Sequence, residues 1–276
     1  MNRPPEPTVS GHPPEHRARK RFGQNFLHDP GVIQRILAAI NPQPKDALVE
    51  IGPGQGALTR RLLSASGQLD AIELDRDLIE PLRQHCAALG ALRLHQADAL
   101  SFDFHALHQG RALRIIGNLP YNISTPLLFH LLSQAAVIQD LHLMLQKEVV
   151  ERIVAAPGSK VYGRLSVMVQ SRCEATRLFL IGPGAFKPAP SVDSALLRLR
   201  IPACAPVKLL DPAQHATLVA AAFAQRRKTL RNSLRQWITP PVFEQAGIDP
   251  GARAETLSVG DFARLANQAC NLGTQP

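Results

Sequence analysis

Two rhythms of apolar residues alternate along the first half of this chain. Short apolar runs at Ala47–Ile51, Leu69–Glu73, Leu92–His95, Leu113–Ile116 and Leu141–Leu145 have the length of buried strands. Between them, Ala57–Leu63, Asp77–Leu89 and Pro126–Leu132 space their apolar residues for one face of a helix. An earlier helix begins at Asp29, a good N-cap, with Pro30 at its first position and Val32–Leu37 as its periodic body. Asn41-Pro42-Gln43-Pro44 ends it. Strands alternating with helices predict a mostly parallel sheet covered on both faces.

The rhythm changes after about Val161. Arg164–Cys173 reads as a helix, and Thr176–Ile181 and Ser194–Ile201 as strands. The proline-rich loop Gly182–Val192 joins those strands without a helix, which predicts an antiparallel edge. Ile201–Pro206 reads as a linker. Beyond it, residues 212–237 are helix-rich and Val259–Leu272 forms a further helix. The expected division is a disordered tail over 1–18, an α/β unit over 19–205 and a small helical unit over 206–276.

Composition narrows the class. The chain has 276 residues, 31 basic against 22 acidic, for a net charge of +9. Such a balance favours polyanionic partners. No apolar run reaches the roughly 18 residues of a membrane span, and the first 20 residues lack a signal-type apolar segment. Cys86, Cys173, Cys204 and Cys270 stand far apart with no Cys-x-x-Cys pair. That spacing argues against a zinc site or a disulfide framework, and fits a reducing cytoplasm. The expectation is a cytoplasmic protein with no bound metal and no membrane partner.

The candidate chemistry sits at strand ends. Glu50-Ile51-Gly52-Pro53-Gly54-Gln55-Gly56 follows the first strand. Its glycines allow a tight turn and a close cofactor approach, or form a plain turn. The spacing is G-x-G-x-G rather than the dinucleotide G-x-G-x-x-G. Glu73 lies 21 residues beyond Gly52 at the next strand end, where a carboxylate can accept ribose hydroxyls. Its alternative role is an exposed charge beside the N-cap Asp75. Asp98 after the third strand can accept an adenine amine or simply cap a turn. Asn118-Leu119-Pro120-Tyr121 follows the fourth strand and offers an amide oxygen, carbonyls and a ring together. On its own that loop could be only a turn between strand and helix.

The ordered segments Lys20–Leu27, Glu50–Gly54, Glu73–Asp75, Asp98-Ala99, Asn118–Ser124, Leu145–Val150 and Phe186–Ser194 resemble the motifs of the ribosomal RNA adenine N6,N6-dimethyltransferases. The likeness runs from about Arg19 into the C-terminal helices and is strongest to the small-subunit members. It implies a Rossmann-like S-adenosylmethionine-dependent methyltransferase sheet over 19–205, with a helical RNA-binding unit over 206–276. It implies S-adenosylmethionine as methyl donor and S-adenosylhomocysteine as product. By this resemblance Asn25 and Leu27 close over the cofactor and Gly52 underlies its methionine part. Glu73 holds its ribose, and Asp98 with Ala99 reads its adenine. Asn118 touches cofactor and target. Asn118 and Leu119 accept the target amine, and Tyr121 and Phe186 stack the target ring. The implied partner is small-subunit ribosomal RNA in a pre-assembled small ribosomal subunit; a monomer is the default expectation for the chain itself.

A second signal lies at 223–237. Phe223, Leu230, Leu234 and Trp237 are spaced as a helical stripe, and Arg226, Arg227, Lys228, Arg231 and Arg235 put five positive charges in ten residues. A helix so charged fits RNA phosphates, a solvated surface or a membrane face. Two rival functions remain at this stage. One is a resistance-type methyltransferase acting on large-subunit RNA, and the other is a non-catalytic ribosome-assembly or RNA-binding factor.

Overall fold

The computed structural model describes residues 24–225 and 227–272. The chain order is β1 (Phe26–Leu27), α1 (Pro30–Ile40), β2 (Ala47–Ile51), α2 (Thr59–Ser66), β3 (Gln68–Glu73), α3 (Arg76–Cys86), β4 (Ala91–Gln96), β5 (Leu113–Asn118), α4 (Ser124–Ser133) and β6 (Ile138–Gln146). Then come α5 (Lys147–Ile153), α6 (Arg164–Gln170), β7 (Glu174–Ile181), β8 (Phe186–Lys187), β9 (Ser194–Arg200), α7 (Pro212–Phe223), α8 (Leu230–Ser233), α9 (Pro240–Ala246) and α10 (Val259–Asn271).

One seven-stranded sheet has the order β4-β3-β2-β5-β6-β9-β7. Strands β2 to β6 pair in parallel, and β9 runs antiparallel to both β6 and β7. The expected antiparallel edge is therefore present. The chain travels outward from β2 through β3 to β4, then returns to β5 on the other side of β2. The switch point of this open sheet lies between β2 and β5, where α/β folds bind ligands beyond the carboxyl strand ends. Ile51 is paired with Gly117 and Glu73 with Gln96, so the loops after β2, β3, β4 and β5 open at one edge.

Strand alternation builds two cores. Val49, Ile51 and Ile115 face α4 residues Leu127 and Leu131, while Leu48 and Ile116 face Ile36 of α1 and Leu62 of α2. The Arg114 charge inside the apolar β5 is neutralised. It donates to Asp46, to Asp140 and to the Ile40 carbonyl at 2.6–3.1 Å. A third core joins α7, α9 and α10 to Tyr162, Val167 and Met168, which precede the linker.

The basic segment departs from expectation. It is not one helix: α7 stops at Phe223, and α8 begins at Leu230. The Leu230 and Arg231 amides donate to the Ala252 and Pro250 carbonyls, and Thr229 bridges Arg253. Those donors are spent on a neighbouring loop instead of on carbonyls four residues back. Leu230 and Leu234 are nonetheless buried, as the stripe predicts. Helix α5 is an element that the apolar rhythm did not reveal.

Candidate active site

The site grows out of the four strand ends. After β2 the chain turns through Gly52 and Gly54, with φ of 67° and 57°. A side chain at 54 would start 2.9 Å from the Phe26 ring, so Gly54 is required by both backbone and space. Glu73 ends β3 buried. Its carboxylate accepts the Gly54 amide at 3.2 Å and the Asp75 amide at 2.9 Å. Burial raises its pKa, and those two backbone bonds oppose the rise. At the end of β4, exposed Asp98 uses one oxygen to accept the Leu100 amide at 2.9 Å. Buried Ala99 follows it.

The loop after β5 supplies the remaining groups. Gly117 leads into it; a Cβ there would meet Leu119 Cδ2 at 2.8 Å and the Ile51 carbonyl at 3.1 Å. The Asn118 amide nitrogen donates to the Asn25 carbonyl at 2.8 Å. That bond orients the side chain and leaves its oxygen as an acceptor. Leu119 is 1 % exposed, and its amide donates to the Met144 carbonyl. The Tyr121 hydroxyl lies 2.7 Å from Ser194 Oγ, and burial raises the phenol's pKa.

Gly52, Glu73, Asp98, Ala99, Asn118 and Tyr121 line one cavity of about 190 Å³, which Leu119 and Asn25 also border. Two expected residues lie elsewhere. Leu27 is buried and borders a smaller pocket behind the glycine turn. Phe186 does not share the cavity with Tyr121. It is 3 % exposed, packs in the core with Leu27, Met144 and Leu196, and does not border the cavity. The reason is the β1–β8 pairing, which sets Leu27 opposite Phe186 and covers it. Arg227, Lys228, Arg231 and Arg235 are exposed on the C-terminal helical unit, away from the cavity wall. Arg226, Lys20 and Arg21 lie outside the described residues, as does the predicted tail.

Sequence reasoning missed Glu50. It sits in β2, 3 % exposed, and borders the pocket behind Gly52 and Gly54. Oε2 has no hydrogen-bond partner, and the nearby Thr59 hydroxyl falls short of bonding geometry. Burial pushes the carboxyl up to about 7; Thr59 draws it down and the Glu73 charge adds to the rise. The signal was visible as one acid in an otherwise apolar strand. A carboxyl raised above its unfolded value favours folding below that value and loses this contribution as pH rises through about 7. At pH 8 the buried charge therefore costs about 3 kcal/mol. Glu50→Gln is expected to raise the melting temperature at pH 8 and to leave it nearly unchanged at pH 4.5. Melting curves of both proteins across that range check the sign.

A switch-point crevice with a glycine turn, a strand-end acid and an amide-carbonyl-aromatic loop defines a Rossmann-like methyltransferase. Comparison with known proteins agrees. A model of the ribosomal RNA adenine dimethylase family matches residues 15–270, and the chain belongs to that family. It is 54 % identical to a ribosomal RNA small subunit methyltransferase A of Marinobacter nauticus over 94 % of both chains. It is 55 % identical to a protein of the same name from Pseudomonas aeruginosa, over 94 % of this chain and 97 % of that one. Among solved structures, a dimethyladenosine transferase of Plasmodium falciparum superposes with a TM-score of 0.80 at 25 % identity, covering 90 % of this chain and 98 % of the other. The 23S rRNA methyltransferase ErmE gives 0.70 at 25 % identity, covering 89 % and 100 %.

Proposed function

We propose that this adenine dimethyltransferase methylates N6 of two adjacent adenines in a hairpin loop near the 3′ end of small-subunit ribosomal RNA. The observation that carries the reading is the Asn118–Asn25 bond, because it commits the amide nitrogen and leaves the oxygen of a cavity-lining residue to accept an amine. The relatives at 54–55 % identity are named as small-subunit enzymes, whereas the 23S enzyme stands at 25 %. That contrast favours the small subunit over the resistance-type alternative.

The residues present fit S-adenosylmethionine as donor. Glu73 keeps lone pairs free for ribose hydroxyls, and Asp98 keeps one oxygen for an adenine amine. Orphaned Glu50 Oε2 is suited to an ammonium group. When bound, the cofactor supplies an electrophilic methyl carbon on a sulfonium. An adenine amine is a weak nucleophile because its lone pair is delocalised into the ring. Asn118 Oδ1 and the Leu119 carbonyl accept its two N–H groups and favour a pyramidal nitrogen. Placement and exclusion of water then provide much of the acceleration. The nitrogen becomes strongly acidic only after alkylation, so its proton passes to solvent without a dedicated base. Tyr121 gives the base a stacking face, worth roughly 1–3 kcal/mol. The base must leave its stack to reach it.

The reading takes the enzyme to be a cytoplasmic monomer acting on a pre-assembled small subunit through its helical unit, 206–276. Arg227, Lys228 and Arg231 lie exposed and close in sequence on that unit. Changing all three to Gln is expected to weaken particle binding and reduce the salt slope by about 2. Binding measured between 50 and 200 mM salt checks this, and an unchanged slope rejects the segment as a phosphate contact. The function itself is tested by incubating the chain with labelled S-adenosylmethionine and under-methylated small subunits, then mapping the label. Label on large-subunit RNA, or none, overturns the proposal.

A further inference from the structure

Tyr121 must hold its ring in a fixed place if stacking is to aim an amine. Its main chain is already held. The Pro120 carbonyl accepts the Ile123 amide, and the Tyr121 carbonyl accepts the Ser124 hydroxyl at 3.0 Å. Those bonds leave the ring's two side-chain torsions undetermined, and the residue is only half-buried. The handle is at the far end of the ring, where the phenol oxygen meets Ser194 Oγ at 2.7 Å.

Ser194 is suited to that task. It is 1 % exposed and opens β9 between two neighbours, paired with Gln146 on one side and Ile181 on the other. The adjacent Asp193 carbonyl accepts the Lys147 amide at 2.9 Å. Its Cβ direction is thus dictated by the sheet rather than by a loop. The contact spans 73 residues and joins the loop after β5 to a strand two places away. Held at Cβ and at the hydroxyl, the ring can turn only about the axis joining those points. The contact therefore fixes where the ring lies, and the base packed on it sets the rotation about that axis. Burial keeps the phenol protonated at neutral pH, so it retains a hydrogen to donate.

We infer that Ser194 is a positioning residue that fixes the direction of the Tyr121 ring's long axis, and so where the ring meets the target base, through the hydroxyl–hydroxyl contact. This rests on the crevice being the adenine site proposed above. Ser194 touches no reacting atom and acts only through the ring.

The test is a double-mutant cycle of Tyr121→Phe and Ser194→Ala, read as single-turnover methylation of under-methylated small subunits. Each single change is expected to slow methyl transfer by about five- to tenfold, the size of one lost hydrogen bond. Affinity for S-adenosylmethionine, measured by calorimetry, should hold. The double variant should be no slower than either single one, because both remove the same contact. Multiplying effects, or a Ser194→Ala rate equal to wild type, would overturn the assignment. Tyr121→Phe is nearly isosteric and guards against misreading a folding defect. Failure of the parent reading looks different: the wild-type chain itself would leave the small subunits unlabelled.

Discussion

Asn118→Ala is expected to lower the rate of methyl transfer by about 10³-fold while changing cofactor affinity less than tenfold. The asymmetry follows from what the side chain does. Its nitrogen is committed to the Asn25 carbonyl, which leaves the oxygen of this cavity-lining residue as its acceptor before any substrate arrives. An acceptor prepared in this way helps most when the amine nitrogen gains positive charge and its N–H groups become stronger donors. That is a transition-state interaction, so its loss falls on the rate and not on ground-state binding. On the proposed function, Glu73, Asp98 and the glycine turn still hold the nucleoside in the variant. Single-turnover kinetics together with calorimetry of S-adenosylmethionine binding separate the two effects. Equal loss of rate and affinity would falsify the catalytic assignment and leave Asn118 as part of the cofactor site. Gly117→Ala offers a second route to the same loss, because its Cβ would press on Leu119 and Ile51 and shift the loop without touching the amide.

The site was most legible where chemistry and chain position coincide. Gly52, Glu73, Asp98 and Asn118 each follow an apolar run, and a parallel sheet gathers such strand ends at one edge. Order along the chain therefore became proximity in space without any need to know the packing. Phe186 could not be read this way. Whether its ring faces a crevice or a core depends on β1 pairing with β8, a contact between segments some 160 residues apart with no local signature. The basic stretch failed for another reason. Periodicity correctly buried Leu230 and Leu234, but it is blind to where backbone amides find acceptors. The Leu230 and Arg231 amides found the Ala252 and Pro250 carbonyls instead of a helical partner. Arg114 was equally silent, since an arginine in a strand is acceptable only once Asp46 and Asp140 converge on it. Glu50 and Ser194 look ordinary in sequence. Their roles come from burial, which leaves one without a partner and brings the other to the Tyr121 hydroxyl.

Replacing Glu73 by Ala should weaken S-adenosylmethionine binding by about 10²- to 10³-fold. Two losses combine. The carboxylate has capacity left for two ribose hydroxyls, and hydrogen bonds to a charged acceptor are worth about 1.5–3 kcal/mol each. The same group also holds the Gly54 and Asp75 amides, so its removal loosens the glycine turn beneath the ligand. Glu73→Gln separates these contributions. It retains one oxygen acceptor, sacrifices the charge and places an amide where the second backbone donor needs an acceptor. Its affinity should fall between wild type and Glu73→Ala. Acid should mimic the substitution: because burial has raised the Glu73 pKa, protonation begins at a milder acidity than for a free glutamate. Wild-type affinity should therefore fall on mild acidification, whereas Glu73→Ala should lose that part of the pH response. Calorimetric titrations of both proteins at several pH values decide the matter. An alanine variant that binds as tightly as wild type would remove Glu73 from the ribose and leave it as a brace for the turn.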